Sequence, residues 1–171
     1  ATFFEGGTRV PFFMQLPGVI APGSQFTAPV SHFDIFATSA ALAGVQPPAD
    51  RVIDGVNLIP FARGEQVGRP HEQMFWRSGA YQVARSGDWK LQVNQTQDKL
   101  WLFNLQDDPT EQHNLVDAEP ARVKELLAQL AEFNSQQKAP LWPSLVEAPI
   151  LIDKPLNRPQ TIDDEFIYWS N

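Results

Sequence analysis

The residues able to do chemistry are few and scattered. There are three histidines, His32, His71 and His113, and no cysteine. Zinc favours His or Cys clustered at short spacing, which these three are not. His32 stands where a helix begins and could line a pocket, although a structural hydrogen bond is the plainer reading. His71 follows Arg69-Pro70 in a loop and reads as exposed. His113, in Glu111-Gln112-His113-Asn114, reads as a polar link after a turn. Two carboxylate pairs, Asp107-Asp108 and Asp163-Asp164, suggest calcium by composition. Neither has the spaced oxygen ligands of a calcium loop, and the first precedes Pro109, as turn and capping residues do. Ser31, Ser39, Ser78, Ser86 and Ser144 lie outside any G-x-S-x-G elbow. Glu5-Gly6-Gly7-Thr8 is too short and too acidic for a phosphate loop. With no cysteine, disulfides, thiolate metal sites and a cysteine nucleophile are excluded.

The elements that would position such groups begin with Val10–Leu16, an apolar run between Gly6-Gly7 and Pro17-Gly18. It reads as a buried strand whose first residue is the proline, Pro11, yet no other stretch looks like its parallel partner. Such an orphan should pair with its copy in a second molecule, lie under the proline-rich tail, or be disordered. Ser31 caps a helix to Ala43, with Asp34 at the third position and Gly44 as its stop. Phe33, Phe36, Ala37, Ala40 and Ala41 form its apolar stripe. Asn57 caps a short helix through Phe61 that ends near Gly64.

From Met74 the period changes to short β runs, Met74–Arg77, Tyr81–Arg85, Trp89–Asn94 and Leu100–Leu105, broken by Ser78-Gly79 and Ser86-Gly87-Asp88. That pattern predicts a four-stranded antiparallel meander with one face to be covered. Its lid is a helix over Glu119–Gln137, with Pro120 in the first turn and Val123, Leu126, Leu127, Leu130 and Phe133 on its apolar face. The fold class is therefore α+β: a four-stranded antiparallel sheet under one long helix, preceded by an orphan strand and helix and followed by a proline-rich wrapping tail. That tail, 139–171, carries apolar islands at Trp142, Ile150–Ile152 and Phe166–Trp169, with room for one short strand. Three divisions follow, at 1–70, 71–138 and 139–171.

The 171 residues carry a net charge of −7, which disfavours nucleic acid and anionic membrane as partners. No apolar run is long enough to cross a membrane as a helix, and no leader is apparent. A first residue other than Met suggests a piece of a longer protein.

Several motifs together resemble a type I sulfatase (the arylsulfatase family, alkaline-phosphatase-like superfamily). They are Glu5-Gly6-Gly7-x-Arg9-Val10-Pro11, Ser31-His32-Phe33-Asp34-Ile35 with Ala43-Gly44, Asp54-Gly55-Val56-Asn57-Leu58, Gly87-Asp88-Trp89-Lys90-Leu91, and Leu102–Leu115 with its Asp108-Pro109 turn. They run in order over residues 3–135 and resemble the end of the catalytic domain and the C-terminal subdomain. The resemblance implies hydrolysis of sulfate esters by a formylglycine made from Cys or Ser, with calcium polarising the sulfate and a lysine just ahead of E-G-G binding it. None of those groups matches a position in this chain. The chain alone is therefore expected to be non-catalytic, with no cofactor of its own, while the parent uses calcium and formylglycine. Its expected partners are the missing N-terminal catalytic domain and a possible second copy through strand 10–16, with a sulfate ester as substrate only in the parent. Glu5, Gly6 and His32 are the residues nearest the substrate mouth. A stand-alone binding or assembly module descended from a sulfatase is the alternative, and a bacterial parent would favour export to the periplasm or medium.

Overall fold

The computed structural model describes residues 2–155 and 157–170. Its elements, in chain order, are α1 (Glu5–Thr8), α2 (Phe33–Leu42), α3 (Ile59–Ala62), β1 (Gln73–Ser78), β2 (Tyr81–Ser86), β3 (Trp89–Asn94), β4 (Lys99–Asn104), α4 (Pro120–Ser135), β5 (Glu147–Leu151) and β6 (Phe166–Ser170). They divide into two compact units, one from the chain through Pro11 and from Gln73 onward, the other from Phe12–Glu72.

In the first unit β1–β4 form the meander in sequential antiparallel order. The two-residue breaks at Gly79 and Gly87 both adopt positive φ, as tight hairpins of this hand require. One sheet face is closed by α4. Leu91, Val93 and Leu102 pack there against Val123, Leu126 and Leu130, and Phe133 stacks on Phe75 at 4.4 Å. Leu127, read as part of the stripe, lies at its exposed margin.

The opposite face is covered as well, which the alternation did not reveal. The tail forms two strands rather than one, paired as an antiparallel hairpin β5–β6. Ile167 of that hairpin is fully buried against Tyr81, Val83, Trp101 and Phe103. Gly79 permits the close approach, because a Cβ there would sit 2.0 Å from Ser170 Oγ. Phe3 is wedged into the same layer, 5.0 Å from the Tyr81 ring and 4.9 Å from Trp169.

The strand expected at Val10–Leu16 is not formed. Glu5–Thr8 makes a single helical turn, and the chain then continues to Leu16 without regular structure. Pro11 has no N–H to give to a ladder, and neither sheet pairs with this stretch. Phe13 is 91% exposed and Val10 68%. The tail hairpin covers the meander instead of this run.

In the second unit α2 starts with a reciprocal box around Ser31. The Asp34 carboxylate accepts the Ser31 N–H at 2.7 Å, and Ser31 Oγ accepts the Phe33 N–H at 3.4 Å. The inward face of α2 is Asp34, Ala37 and Thr38, whereas Phe33 and Phe36 of the expected stripe are exposed. Asp34 and Thr38 turn inward because they bind the 56–58 backbone, Asp34 Oδ1 accepting from Val56 and Thr38 Oγ1 from Leu58. Asn57 Oδ1 accepts the Ile59 N–H at 3.1 Å at the start of α3, and Gly64 ends the turn at φ +72.

Candidate functional site

On β3 the residues alternate between two buried faces. Leu91 and Val93 meet α4, while Lys90, Gln92 and Asn94 point to the other face, and all three are fully buried. Residues 2–5, the 109–112 turn and the hairpin enclose this polar row. Lys90 Nζ lies 2.8 Å from Glu5 Oε1 and 3.0 Å from Glu111 Oε1. Gln92 Nε2 donates to the same Glu111 oxygen at 3.1 Å, and the Glu5 N–H donates to Glu111 Oε2. Tyr81 donates its hydroxyl to Gln92 Oε1 and accepts the Phe3 N–H at 3.2 Å. One ammonium thereby ties together the lead-in segment, the sheet and the turn after β4.

Burial sets the titration of this cluster. Glu111 is pushed above the ordinary carboxyl value by desolvation, although the Lys90 charge and the Glu5 N–H pull the other way. Burial also raises the Tyr81 hydroxyl far above its usual value, so it stays neutral and serves as donor and acceptor at once. Glu111 holds φ +57, a conformation uncommon outside glycine. Gly7 is fixed by contact: a Cβ there would lie 2.1 Å from the Thr2 carbonyl oxygen.

Above the cluster opens a cleft of about 420 Å³, lined by Thr2, Phe4, Glu5, Gly6, Arg9, the 109–112 turn and Leu151–Asp153. Of the expected mouth residues, Glu5 and Gly6 share its rim, Glu5 buried in its ion pair and Gly6 exposed. His32 belongs to the second unit, is exposed, and lies against Phe33 with ring centres 4.1 Å apart.

His71 is not the exposed loop residue its sequence context suggested. Its side chain is only 12% exposed, and Nε2 lies 2.8 Å from Oδ1 of the fully buried Asp34. That contact joins positions 37 apart, so no local motif could announce it. The two carboxylate pairs are engaged by groups close in sequence. Asp108 accepts the backbone N–H groups of Gln112 and His113. Asp164 is held by Lys154 and Thr161, and the Lys154 hydrogen bond lowers its pKa.

Calcium does not fit these side chains. Among the described residues no three or more His, Asp or Glu converge to hold an ion, and the best-buried carboxylates are committed to Lys90, His71 and backbone N–H groups. The chain has no cysteine, and none of its serines stands in the formylglycine motif that the resemblance implies.

Residues 2–139 match the family model for N-sulphoglucosamine sulphohydrolase, C-terminal. The chain belongs to that sulphohydrolase C-terminal family. It is 39% identical over 109 residues to rat (Rattus norvegicus) steryl-sulfatase, covering 64% of this chain and 18% of the relative. It is 40% identical over 93 residues to mouse (Mus musculus) N-acetylgalactosamine-6-sulfatase, covering 54% of this chain and 18% of that protein. Among solved structures, it resembles Ps i-CgsB with TM-score 0.63 and 26% identity over 74% of this chain and 29% of that one. A Bacteroides thetaiotaomicron protein described for the metabolism of multiple glycosaminoglycans (BT33336S-sulf) gives TM-score 0.66 and 25% identity over 79% of this chain and 31% of its own. The sulphohydrolase C-terminal match thus spans less than a third of each of these relatives.

Proposed function

We propose that this chain is the C-terminal portion of an arylsulfatase-like sulfuric ester hydrolase, inactive alone and completed by a preceding catalytic domain. The observation that carries the reading is the second unit's surface. Helix α2 buries Asp34, Ala37 and Thr38 but leaves Phe33, Ile35, Phe36 and Leu42 about half exposed. A helix whose outward face is this apolar belongs against a larger body, and Phe12, Phe13 and Val67 add to the uncovered surface. The relatives, with most of their length outside the match, supply the class of that body.

In this reading the parent carries the formylglycine and calcium, and a sulfate ester is its substrate. Residues 1–70 finish its catalytic domain, 71–138 form its C-terminal subdomain, and 139–171 wrap the result. In the parent, Glu5, Gly6 and His32 are the residues of this chain nearest the substrate mouth. The test is turnover of a chromogenic aryl sulfate. The purified 171-residue chain should give none, while the same chain expressed with its upstream coding sequence should hydrolyse it. Turnover by the short chain would refute the reading.

A stand-alone module draws support from the first unit, whose sheet has a core on both faces. An upstream reading frame without a formylglycine motif would favour it.

A further inference from the structure

The family match ends at residue 139, and the segment just beyond it is unlike the rest of the first unit's surface. Leu141, Trp142, Leu145 and Val146 are 80%, 86%, 95% and 61% exposed. Of the five tryptophans, Trp142 alone is exposed. Four large apolar groups within six residues form a patch of the kind that marks an interaction site. The segment is also held in shape. Its C-terminal end enters β5 at Glu147, which accepts hydrogen bonds from Ser170 and Thr96. Ser144 Oγ donates to the Val146 carbonyl at 2.7 Å. Pro140 and Pro143 fix two φ angles, so docking would cost less ordering entropy than for a loose loop.

We propose that 141–146 is an anchor seated on the catalytic domain of the same polypeptide. This rests on the reading above and goes beyond it by assigning the tail a docking role. The occupant follows from area and charge. Four such side chains can bury on the order of 500 Å², short of the roughly 800 Å² per partner of a stable intermolecular contact. Within one polypeptide the effective concentration is about millimolar, so a small patch suffices. A second copy would bring another −7 charge. An anionic bilayer would meet Glu147 directly after the segment, with Lys138 the nearest cation in sequence.

The test uses the full-length protein carrying Leu145→Cys or, separately, Ile162→Cys, which replaces a side chain equally exposed in the tail at 99%. The chain contributes no native cysteine, and mass spectrometry locates the label. Maleimide should modify position 145 about tenfold or more slowly than position 162, as expected for a site reached only by local opening. Equal rates would overturn the proposal. So would protection that falls on dilution, which indicates a second copy, or protection seen only with phosphatidylcholine–phosphatidylglycerol vesicles, which indicates a membrane. The underlying reading fails by a different observation, an upstream frame with no formylglycine motif.

Discussion

Lys90 is fully buried with two carboxylates, so it is an ion that structure must keep satisfied. Removing one partner from a buried ion pair costs about 3–5 kcal/mol, because the remaining charge is stranded. Lys90→Met should therefore lower unfolding free energy by about that amount in urea titrations, while a change within experimental error would show the cluster to be slack. Glu111 gives a pH signature. Burial raises its pKa above 4.5, so the folded state binds the proton more tightly than the unfolded chain. That stabilisation is fully present below the unfolded value and is lost as pH rises through the folded one. Glu111→Gln cannot ionise and lacks this loss. Its stability relative to the parent chain should therefore rise with pH across that window, and a flat difference would contradict the assignment. At Asp34, substitution by Ala strands the Ser31 and Val56 N–H groups and the His71 ring. A cost on the order of 3 kcal/mol is expected, read as faster amide exchange across 31–38 and 54–58.

The tail hairpin and α4 are competing claims on how the meander is stabilised, and the structure assigns one to each face. Ile167 and Leu126 are both fully buried at the centres of those faces. Ile167→Ala and Leu126→Ala should each cost about 2–5 kcal/mol. If Ile167→Ala costs only a few tenths, the hairpin is an ornament and its cover is not cooperative with the sheet. Because Phe3 lies between Tyr81 and Trp169, deleting 140–171 should also release residues 2–8. Their amide protons should then exchange faster, with those of β3 following.

At the scale of the whole molecule the second unit is the one that asks for something more. Phe33 and Phe36 are each 53% exposed, and partly exposed positions change stability little when made polar, by about 0.5 kcal/mol or less. Phe33→Ser with Phe36→Ser should accordingly leave the 171-residue chain nearly as stable as before. In the full-length protein the same pair should cost several kcal/mol, in the range of about 3–5 kcal/mol for emptying a buried phenylalanine site. Equal effects in both would mean that α2 has no larger body to enter.

The sequence by itself determined the local structure. Gly79 and Gly87 placed the hairpin turns, the alternation from 74 to 105 specified four strands, and Pro120 with Val123, Leu126 and Leu130 specified the covering helix. Those features depend on neighbours a few residues away, which periodicity and turn chemistry report. Trp89-Lys90-Leu91-Gln92-Val93-Asn94 shows where that reach ends. Its alternation is that of a strand with one wet face, and only the return of residues 2–5, 109–112 and 166–170 makes that face interior. The Asp34–His71 contact is of the same kind. Val10–Leu16 errs in the opposite direction, since its apolar character is real but a strand also needs a neighbour to bond, and the tertiary structure offers none. Burial and pairing are properties of distant segments meeting, and no window of sequence contains both sides of the encounter.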